Sequence, residues 1–267
     1  MDGKRKTLLL VGDSCIDQFH YSKVSRINPE APCFVFKLDG MPTMLDGMAS
    51  NVKANLKSLA PHFEIDFLTQ KQKIVKTRYV DKDSNYILFR GDDERPSQPL
   101  EVRDVIDTKE YDAIVISDYN KGFLNIDNMW KIMDWFTGPI FLDTKKTLGD
   151  WSEKAIVKIN EKEYNECMWA CVNHPQADGD PSIFCKELLV TMGGKGIMWR
   201  GKMYPVEKVS VRDVVGAGDT ALAGLVVGYL ENDGDMEKAI EFANKAARVA
   251  VSKPGVVAVK REDVLEK

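Results

Sequence analysis

The stretch that most constrains this chain is residues 213–220, where an apolar segment ends in small residues and leads directly into a helix. The sequence Asp213-Val-Val-Gly-Ala-Gly-Asp-Thr220 precedes the apolar run 221–230. Gly216, Ala217 and Gly218 carry almost no side chain, so their backbone N–H groups can converge on an anion at the positive end of that helix. Asp219 falls in the first helical turn, where a carboxylate can accept a proton from an attacking hydroxyl. The stretch predicts an anion site able to support phosphoryl transfer.

Other interpretations of this stretch stay open on the residues alone. The small residues can form a tight turn in which Asp219 interacts only with the helix dipole. The loop G-x-x-x-x-G-K-[ST] is excluded because no lysine follows the glycines. The pattern also fits the dinucleotide fingerprint G-x-G-x-x-A, but that fold needs a second parallel strand about twenty residues on. Residues 236–252 are typical of a helix instead, which argues against a dinucleotide site.

Length and charge exclude several classes of partner. With 267 residues, 44% of them hydrophobic, the chain can form one large domain with a sizeable core. A formal charge of −4 and a pI near 5.6 provide no basic surface for nucleic acid or an anionic membrane. No apolar run approaches the length of a membrane span, and the first apolar run is too short for a signal peptide. We therefore expect a cytoplasmic protein.

Cysteine and histidine spacing gives no support for a metal centre or a disulfide framework. The odd number of cysteines includes no C-x-x-C pair, so ordinary reduced thiols are expected. His20, His62 and His174 lack the spacing of metal ligands or of a catalytic triad. The cysteines are Cys15, Cys33, Cys167, Cys171 and Cys185.

The chain begins with a pattern typical of a buried parallel strand. Thr7 to Val11 is almost wholly apolar and ends at Gly12. Asp13 and Asp17 follow, at the end of the strand where a ligand crevice forms in open α/β sheets, so either can touch substrate. Turn capping explains Asp13 equally well.

A second group of strands interrupts this α/β pattern. Cys33 to Leu38 follows a proline-rich stretch, and Lys76 to Val80 pairs with Tyr86 to Arg90 across a turn-forming tract. Met48 to Ala60 has apolar residues at helical spacing after a glycine turn at Asp46-Gly47. The strands therefore predict a small separate sheet, or lid, over residues of about 19–45 and 74–92.

From Tyr111 onwards, strands and helices alternate, which predicts a parallel sheet with helices on both faces. Polar clusters follow these strands, where they would line a crevice. Residues 188–196 predict a strand that turns tightly at glycines, where a nucleotide could approach the backbone. The predicted elements are strand Ala113 to Ser117, helix Ile126 to Phe136, strands Ile140 to Asp143 and Ile156 to Ile159, and a helix from Lys162.

Together these segments resemble the ribokinase-like (pfkB) family of carbohydrate kinases over nearly the whole chain. Residues 213–219 match the family's C-terminal signature. Within the family, the chain is most similar to members that phosphorylate heptose 7-phosphate at O1 on the route to ADP-heptose. That similarity rests on three segments, Gly12-Asp-Ser-Cys-Ile-Asp17, Ser25-Arg-Ile-Asn-Pro-Glu-Ala-Pro32 and Ser117-Asp-Tyr-Asn-Lys-Gly122.

The resemblance implies a single domain over 1–267, with a parallel α/β sheet flanked by helices and a small β lid. It also implies an ATP-dependent, Mg²⁺-requiring kinase whose partner is a small sugar phosphate, and a homodimer formed through the lid. Asp219 is the implied general base, and Gly216, Ala217 and Gly218 the implied anion hole. Asn160 and Glu163 match a motif associated with magnesium through bound water, and Glu163 is the implied metal residue. The nucleotide-pocket matches are Thr191, Gly193, Gly196 and Asn244.

The implied acceptor site combines family positions with basic residues of the lid. Lys76 and Arg78 share one face of a strand because side chains alternate, so they can bind the phosphate of the acceptor together with Arg26. A solvated strand face is the alternative. The family's sugar-binding positions correspond to Asp17, Gly47 and Asn51. Lys145 corresponds to a family position whose lysine can contact a phosphate.

One departure from the family pattern bears on the acceptor. The family's Gly-Gly-x-x-Asn appears as Gly47-Met-Ala-Ser-Asn51, so Met48 stands where backbone and sugar should approach closely. This departure leaves the identity of the sugar open. The chain also lacks the helix-bearing segment that most relatives insert between Leu68 and Lys76, and two further functions remain as alternatives. The chain can be a catalytically inactive sugar- or nucleotide-binding protein of the same fold, or a kinase for another sugar or nucleoside.

Overall fold

The computed structural model describes residues 5–106, 110–172 and 179–266. The helices are α1 (Ala49–Leu59), α2 (Arg103–Ile106), α3 (Ile126–Trp135), α4 (Glu161–Cys171), α5 (Ala217–Glu231), α6 (Met236–Val251) and α7 (Arg261–Leu265). The strands are β1 (Thr7–Gly12), β2 (Ser14–Ser22), β3 (Val24–Ile27), β4 (Phe34–Phe36), β5 (Thr43–Met48), β6 (Glu64–Leu68), β7 (Val75–Asp81), β8 (Ile87–Asp93), β9 (Ala113–Asp118), β10 (Ile140–Thr144), β11 (Ile156–Asn160), β12 (Glu187–Thr191), β13 (Ile197–Trp199) and β14 (Lys202–Tyr204).

The main sheet runs in the order β14-β13-β12-β11-β10-β9-β1-β6 among the described residues. The strands from β12 to β6 are parallel, and β13 and β14 add an antiparallel edge. Because its central strands are buried on both faces, they contain continuous apolar runs, such as Leu8 to Val11 in β1 and Ala113 to Ile116 in β9. The predicted parallel α/β sheet is confirmed.

Helices cover both faces of this sheet and divide the core in two. Alternate strand residues point to opposite faces, so Leu8 and Leu10 pack with α1, α5 and α6, whereas Leu9 and Val11 pack with α3 and α4. Among the described residues, no helix combines the length and apolar character needed to cross a bilayer. His174 lies outside the described residues.

A second sheet, which we call the lid sheet, has the order β5-β2-β7-β8. Its strands lie within residues 14–48 and 75–93. The chain enters it directly from β1, because only Asp13 separates β1 from β2. The predicted hairpin of β7 and β8 is antiparallel as expected. The lid sheet therefore begins where the carboxyl ends of the main strands meet.

Two local predictions in this region are wrong. Asp46 and Gly47 do not form a turn but belong to β5, and the helix begins after Met48 rather than at it. The chain changes direction at Met48, whose φ of 57° and ψ of −134° lie in a region that favours glycine. The turn was predicted at Gly47 because glycine is the residue that most readily adopts a positive φ, but in the structure the next residue, Met48, has the positive φ.

Candidate active site

Asp219 lies in the first turn of α5 and is 3% exposed. The Tyr119 hydroxyl donates to its Oδ1 at 2.6 Å, and the Asn51 side-chain amide donates to its Oδ2 at 2.9 Å. Tyr119 follows β9 and Asn51 lies in α1, so three separate elements converge on one carboxylate. Both oxygens are therefore oriented before any substrate arrives.

Burial raises the pKa of Asp219 to about 6, although the hydrogen bonds from Tyr119 and Asn51 oppose that rise. The neighbouring Asp143 carboxylate raises this pKa further, and Lys158 lowers it. Asp219 is therefore largely ionised at neutral pH, yet it binds a proton far more readily than an exposed aspartate. A pKa close to the working pH is what a general base requires.

The glycine turn is held by a buried ion pair. Lys158, which is 3% exposed, pairs with Asp143 and donates to the Gly218 carbonyl oxygen at 3.1 Å. Gly216 adopts a φ of 78°, and a Cβ there would approach the Asn51 amide nitrogen to 2.7 Å. Glycine is therefore required at 216. The first N–H groups of a helix have no partner within it, so this turn offers donors to an anion.

A cavity of about 210 Å³ lies on the lid side of Asp219. We call it the acceptor cavity. Carboxylates and basic side chains line it together, with Met48 at the wall beside Gly47. Its lining residues are Cys15, Asp17, Gly47, Met48, Lys76, Arg78, Arg90, Tyr119, Val215, Gly216, Asp219 and Val256.

The basic residues of this cavity differ in their pairing. Arg78 is 5% exposed and forms an ion pair with Asp17, which is 4% exposed. Lys76 lies 3.9 Å from Glu94 and 5.9 Å from the centre of the Tyr119 ring. Arg90 is more exposed and pairs with Asp92. Lys76 and Arg90 are thus freer than Arg78 to meet an anion.

A larger cavity of about 390 Å³ lies on the other side of the glycine turn, and we call it the donor cavity. Four of the predicted nucleotide residues, Thr191, Gly193, Gly196 and Asn244, line it together. Much of the remaining wall is apolar, from Val206, Val209, Val211, Val214 and Val251, as suits an aromatic base. Ala217, Gly218 and Ala221 also line this cavity, so the start of α5 lies between it and the acceptor cavity.

Asn160 and Glu163 form a reciprocal cap at the start of α4. Each side chain accepts the backbone N–H of the other residue at 2.9 Å. The second carboxylate oxygen of Glu163 pairs with Lys145, whose ammonium group lies 5.2 Å from the centre of the Tyr119 ring. Asn160 is paired in register with Thr191, so this cap adjoins the donor cavity.

Three residues predicted for the acceptor site, Arg26, Asn51 and Lys145, are not among the residues that line the acceptor cavity. Arg26 is exposed on β3, which forms a separate hairpin with β4, so proximity to β2 in sequence does not bring it to the cavity. Asn51 does not line the acceptor cavity, but its side-chain amide donates a hydrogen bond to Asp219 Oδ2. For Asp13, where substrate contact and turn capping were equally expected, the structure shows the capping contacts, because its Oδ2 accepts the backbone N–H groups of Tyr119 and Lys121.

The sequence interpretation missed Tyr119, Arg90 and Lys158 as site residues. Tyr119 stood in a polar cluster already assigned to the crevice, but its contact with Asp219 spans 100 residues of sequence. Arg90 faces Arg78 across the β7–β8 pair, a register that the hairpin pattern could have provided. Cys15 also lines the acceptor cavity, and burial raises the pKa of its thiol to about 12, so it stays protonated.

Comparison with known proteins finds similarity over most of the chain. Residues 139–262 match the pfkB family of carbohydrate kinases. The "Bifunctional protein HldE" of Nitratiruptor sp. is 28% identical over 299 residues, which cover 97% of this chain and 64% of that protein. The protein of the same name from Bradyrhizobium diazoefficiens is 29% identical, over 98% of this chain and 63% of its own. The chain thus spans somewhat less than two thirds of the length of these relatives.

Solved structures show the same fold at lower sequence identity. The ribokinase of Thermotoga maritima superposes with a TM-score of 0.72 at 17% identity, covering 97% of this chain and 98% of its own. Phosphofructokinase-2 of Escherichia coli, in its tetrameric inhibited form, gives 0.71 at 15% identity, covering 98% and 97%. The family match over residues 139–262 and the solved structures are in agreement: this part of the chain is similar to pfkB carbohydrate kinases, and the chain has the ribokinase-like fold.

Proposed function

We propose that this protein transfers the γ-phosphoryl group of ATP to a hydroxyl of a sugar phosphate, with O1 of heptose 7-phosphate as the preferred acceptor. One observation carries the proposal: Asp219 and the glycine turn stand between a polar, basic cavity and a larger apolar one. A phosphoryl transfer needs donor and acceptor on opposite sides of one anion site. The relatives named HldE support the choice of acceptor.

In this mechanism Asp219 accepts the proton of the acceptor hydroxyl while the oxygen of that hydroxyl forms a bond to the γ-phosphorus of ATP. The bond from that phosphorus to the β-phosphate oxygen breaks, and ADP leaves with the electron pair. Backbone N–H groups at the start of α5 stabilise the charge on the transferring group. Tyr119 and Asn51 hold the base in place, and Lys158 holds the turn.

The site residues fit a requirement for Mg²⁺. Within the described ranges, no group of three His, Cys, Asp or Glu side chains could hold a metal ion alone. Mg²⁺ keeps several waters and is commonly bound through substrate phosphates and one or two carboxylates, so such a cage is not needed. Glu163, with Asn160, would hold the ion through water beside the donor cavity. When bound, the ion would neutralise charge on the phosphates.

The basic inner face of the lid sheet supports a phosphorylated acceptor. Lys76 and Arg90 line the acceptor cavity and have only loose or surface-exposed carboxylate partners. A dianionic phosphate can form charge-assisted hydrogen bonds with both. Arg78 would contribute only if the phosphate competed with Asp17 for it. We therefore assign phosphate recognition first to Lys76 and Arg90.

The test is ADP release, measured with ATP in the presence and absence of Mg²⁺, against matched pairs of sugars and sugar phosphates. We expect the phosphorylated sugar to be used about a hundredfold better, since two charge-assisted hydrogen bonds are at stake. Lys76→Met should raise KM for that acceptor about tenfold and leave KM for its unphosphorylated parent nearly unchanged. Lys82→Met, an exposed change in the turn that follows β7, is the control.

Two outcomes would redirect the assignment. Equal kcat/KM for the two members of a pair would exclude phosphate recognition and favour a plain sugar or a nucleoside as acceptor. Silence across the panel, with nucleotide binding still detectable, would favour the inactive binding protein of the same fold. The buried, oriented Asp219 argues against the inactive form, because a binding module has no need of a base there.

We also propose that the outer face of the lid sheet forms a homodimer. Tyr86, Ile87 and Phe89 are 73%, 53% and 63% exposed on and beside β8, the edge strand of that sheet. An exposed apolar edge strand invites pairing with a second chain. Sedimentation velocity should therefore give the mass of a dimer, and Phe89→Glu should shift it to a monomer. Leu265→Glu, which alters an equally exposed residue on α7, should leave the dimer intact. If the unmodified protein sedimented as a monomer, the proposal would be refuted.

A further inference from the structure

A chain of buried amides leads from the C-terminal segment to Asp219. The Val259 backbone N–H donates to Asn55 Oδ1 at 3.0 Å. Asn55 Nδ2 donates to Asn51 Oδ1 at 2.9 Å and to the Asn51 carbonyl oxygen at 3.0 Å. Asn51 Nδ2 then donates to Asp219 Oδ2 at 2.9 Å. We call this series the amide relay.

The direction of the relay is fixed at its far end. A backbone N–H can only donate, so the Asn55 atom that faces Val259 must be its oxygen. The Asn55 nitrogen therefore faces Asn51, where it meets the side-chain oxygen and the backbone carbonyl. That places the Asn51 nitrogen against Asp219. Reversing either amide would set two donors or two acceptors against each other.

Burial makes this orientation matter energetically. Asn51 is 1% exposed and Asn55 is fully buried, so water cannot readily replace a lost partner. Asn51 and Asn55 are four residues apart in α1 and therefore lie on the same face of the helix. α1 packs against α5, so the relay crosses the contact between the two helices.

We propose that Asn55 is a positioning residue, which acts through Asn51 to keep a hydrogen-bond donor on the base. The inference rests on the proposed function, in which Asp219 is the general base. Asn55 touches neither cavity, and its role is to determine which end of the Asn51 amide faces the carboxylate. A donor there favours the ionised form of Asp219, which is the form that accepts the substrate proton.

The proposal predicts a pH effect, which depends on every charged group around Asp219. Tyr119 donates to it, the Asp143 carboxylate raises its pKa, and Lys158 lowers it. None of these contacts passes through Asn55, so an uncharged substitution at 55 should act on Asp219 through Asn51 alone, whereas a carboxylate at 55 would also raise the pKa of Asp219 by charge repulsion. The other titratable groups near it are Lys145 and Cys15, and Asp17, Lys76, Arg78 and Arg90 line the same cavity.

The experiment is the substitution Asn55→Asp in the full chain. The new carboxylate keeps the acceptor for Val259 but offers only oxygens to Asn51, so the Asn51 amide should turn its nitrogen towards residue 55 and its oxygen towards Asp219. We expect the acidic limb of kcat/KM to move to higher pH by about one pH unit. At the pH where the unmodified protein is half active, activity should fall about fivefold for that shift.

Two further variants keep the result interpretable. Asn128→Asp is the matched control, because Asn128 is also buried, donates through Nδ2 to the Leu100 carbonyl oxygen, and lies in α3 on the opposite face of the sheet. It should not move the pH profile. Asn55→Ala removes the constraint without a new charge, so its profile should lie between those of the unmodified protein and Asn55→Asp.

A measurement independent of turnover separates this inference from the proposed function. Carbon NMR of aspartate-labelled protein, with Asp219 identified by its absence in Asp219→Asn, reports the Asp219 titration directly. A midpoint raised in both Asn55 variants supports the relay even if no acceptor is phosphorylated. An unchanged midpoint in folded Asn55→Asp or Asn55→Ala overturns the relay even if the kinase activity is confirmed. An equal shift in Asn128→Asp also overturns it.

Discussion

Asp219→Asn is expected to lower kcat by about a hundredfold or more while the fold and ATP binding persist. The amide is nearly isosteric with the carboxylate. Asn51 must still donate to the side-chain oxygen, so the new NH₂ group would face Tyr119, whose hydroxyl can rotate to accept. The hydrogen-bond network therefore survives and only the proton acceptor is lost. Steady-state kinetics, with nucleotide affinity measured by calorimetry, test both parts.

The pH profile of the unmodified protein provides a companion to this variant. Burial raises the pKa of Asp219 to about 6, and a general base acts in its ionised form. kcat/KM should thus be level well above that pH and fall about tenfold per pH unit below it. The residual activity of Asp219→Asn should not show this fall of kcat/KM at acidic pH. Near-normal turnover in the variant would remove Asp219 from the mechanism and restore its interpretation as a helix-dipole partner.

The second large effect concerns the buried ion pair of Arg78 and Asp17. We expect Arg78→Met to destabilise the protein by about 3–5 kcal/mol, because it leaves a charged carboxylate buried without its partner. Asp17→Asn combined with Arg78→Met should recover a good part of that loss, since neither charge remains. Urea unfolding with an unchanged m-value measures the difference.

An exposed ion pair serves as the control for this cycle. Lys131 and Asp127 are one turn apart on α3 and largely solvent-exposed, so Lys131→Met should cost no more than about 0.5 kcal/mol. If Arg78→Met cost no more than the control, Asp17 and Arg78 would not be held in a desolvated site. The same result would make Arg78 available to an acceptor phosphate, which the present geometry disfavours.

Local patterns in the sequence predicted much of the main domain. Apolar runs such as Thr7 to Val11 indicate buried parallel strands because both faces of the sheet are covered, and helical spacing placed α3 and α6 within a residue or two. The lid was harder to predict. β2 was missed because a charged residue, Asp17, lies on its buried face, where it lines the acceptor cavity. An alternation rule cannot distinguish these two environments.

For the candidate site, the sequence by itself determined the glycine turn before α5, the place of Asp219 in the first turn of that helix, and the glycine turn after β12. Those features are short-range: small residues before a helix, or glycines after a strand, impose their geometry locally. Only the tertiary structure decided what surrounds Asp219. Tyr119 is 100 residues away and Asn51 is 168 away, and Arg78 is paired with Asp17 across 61 residues. Such partners depend on how helices and sheets pack, and packing brings together residues that no spacing along the chain connects.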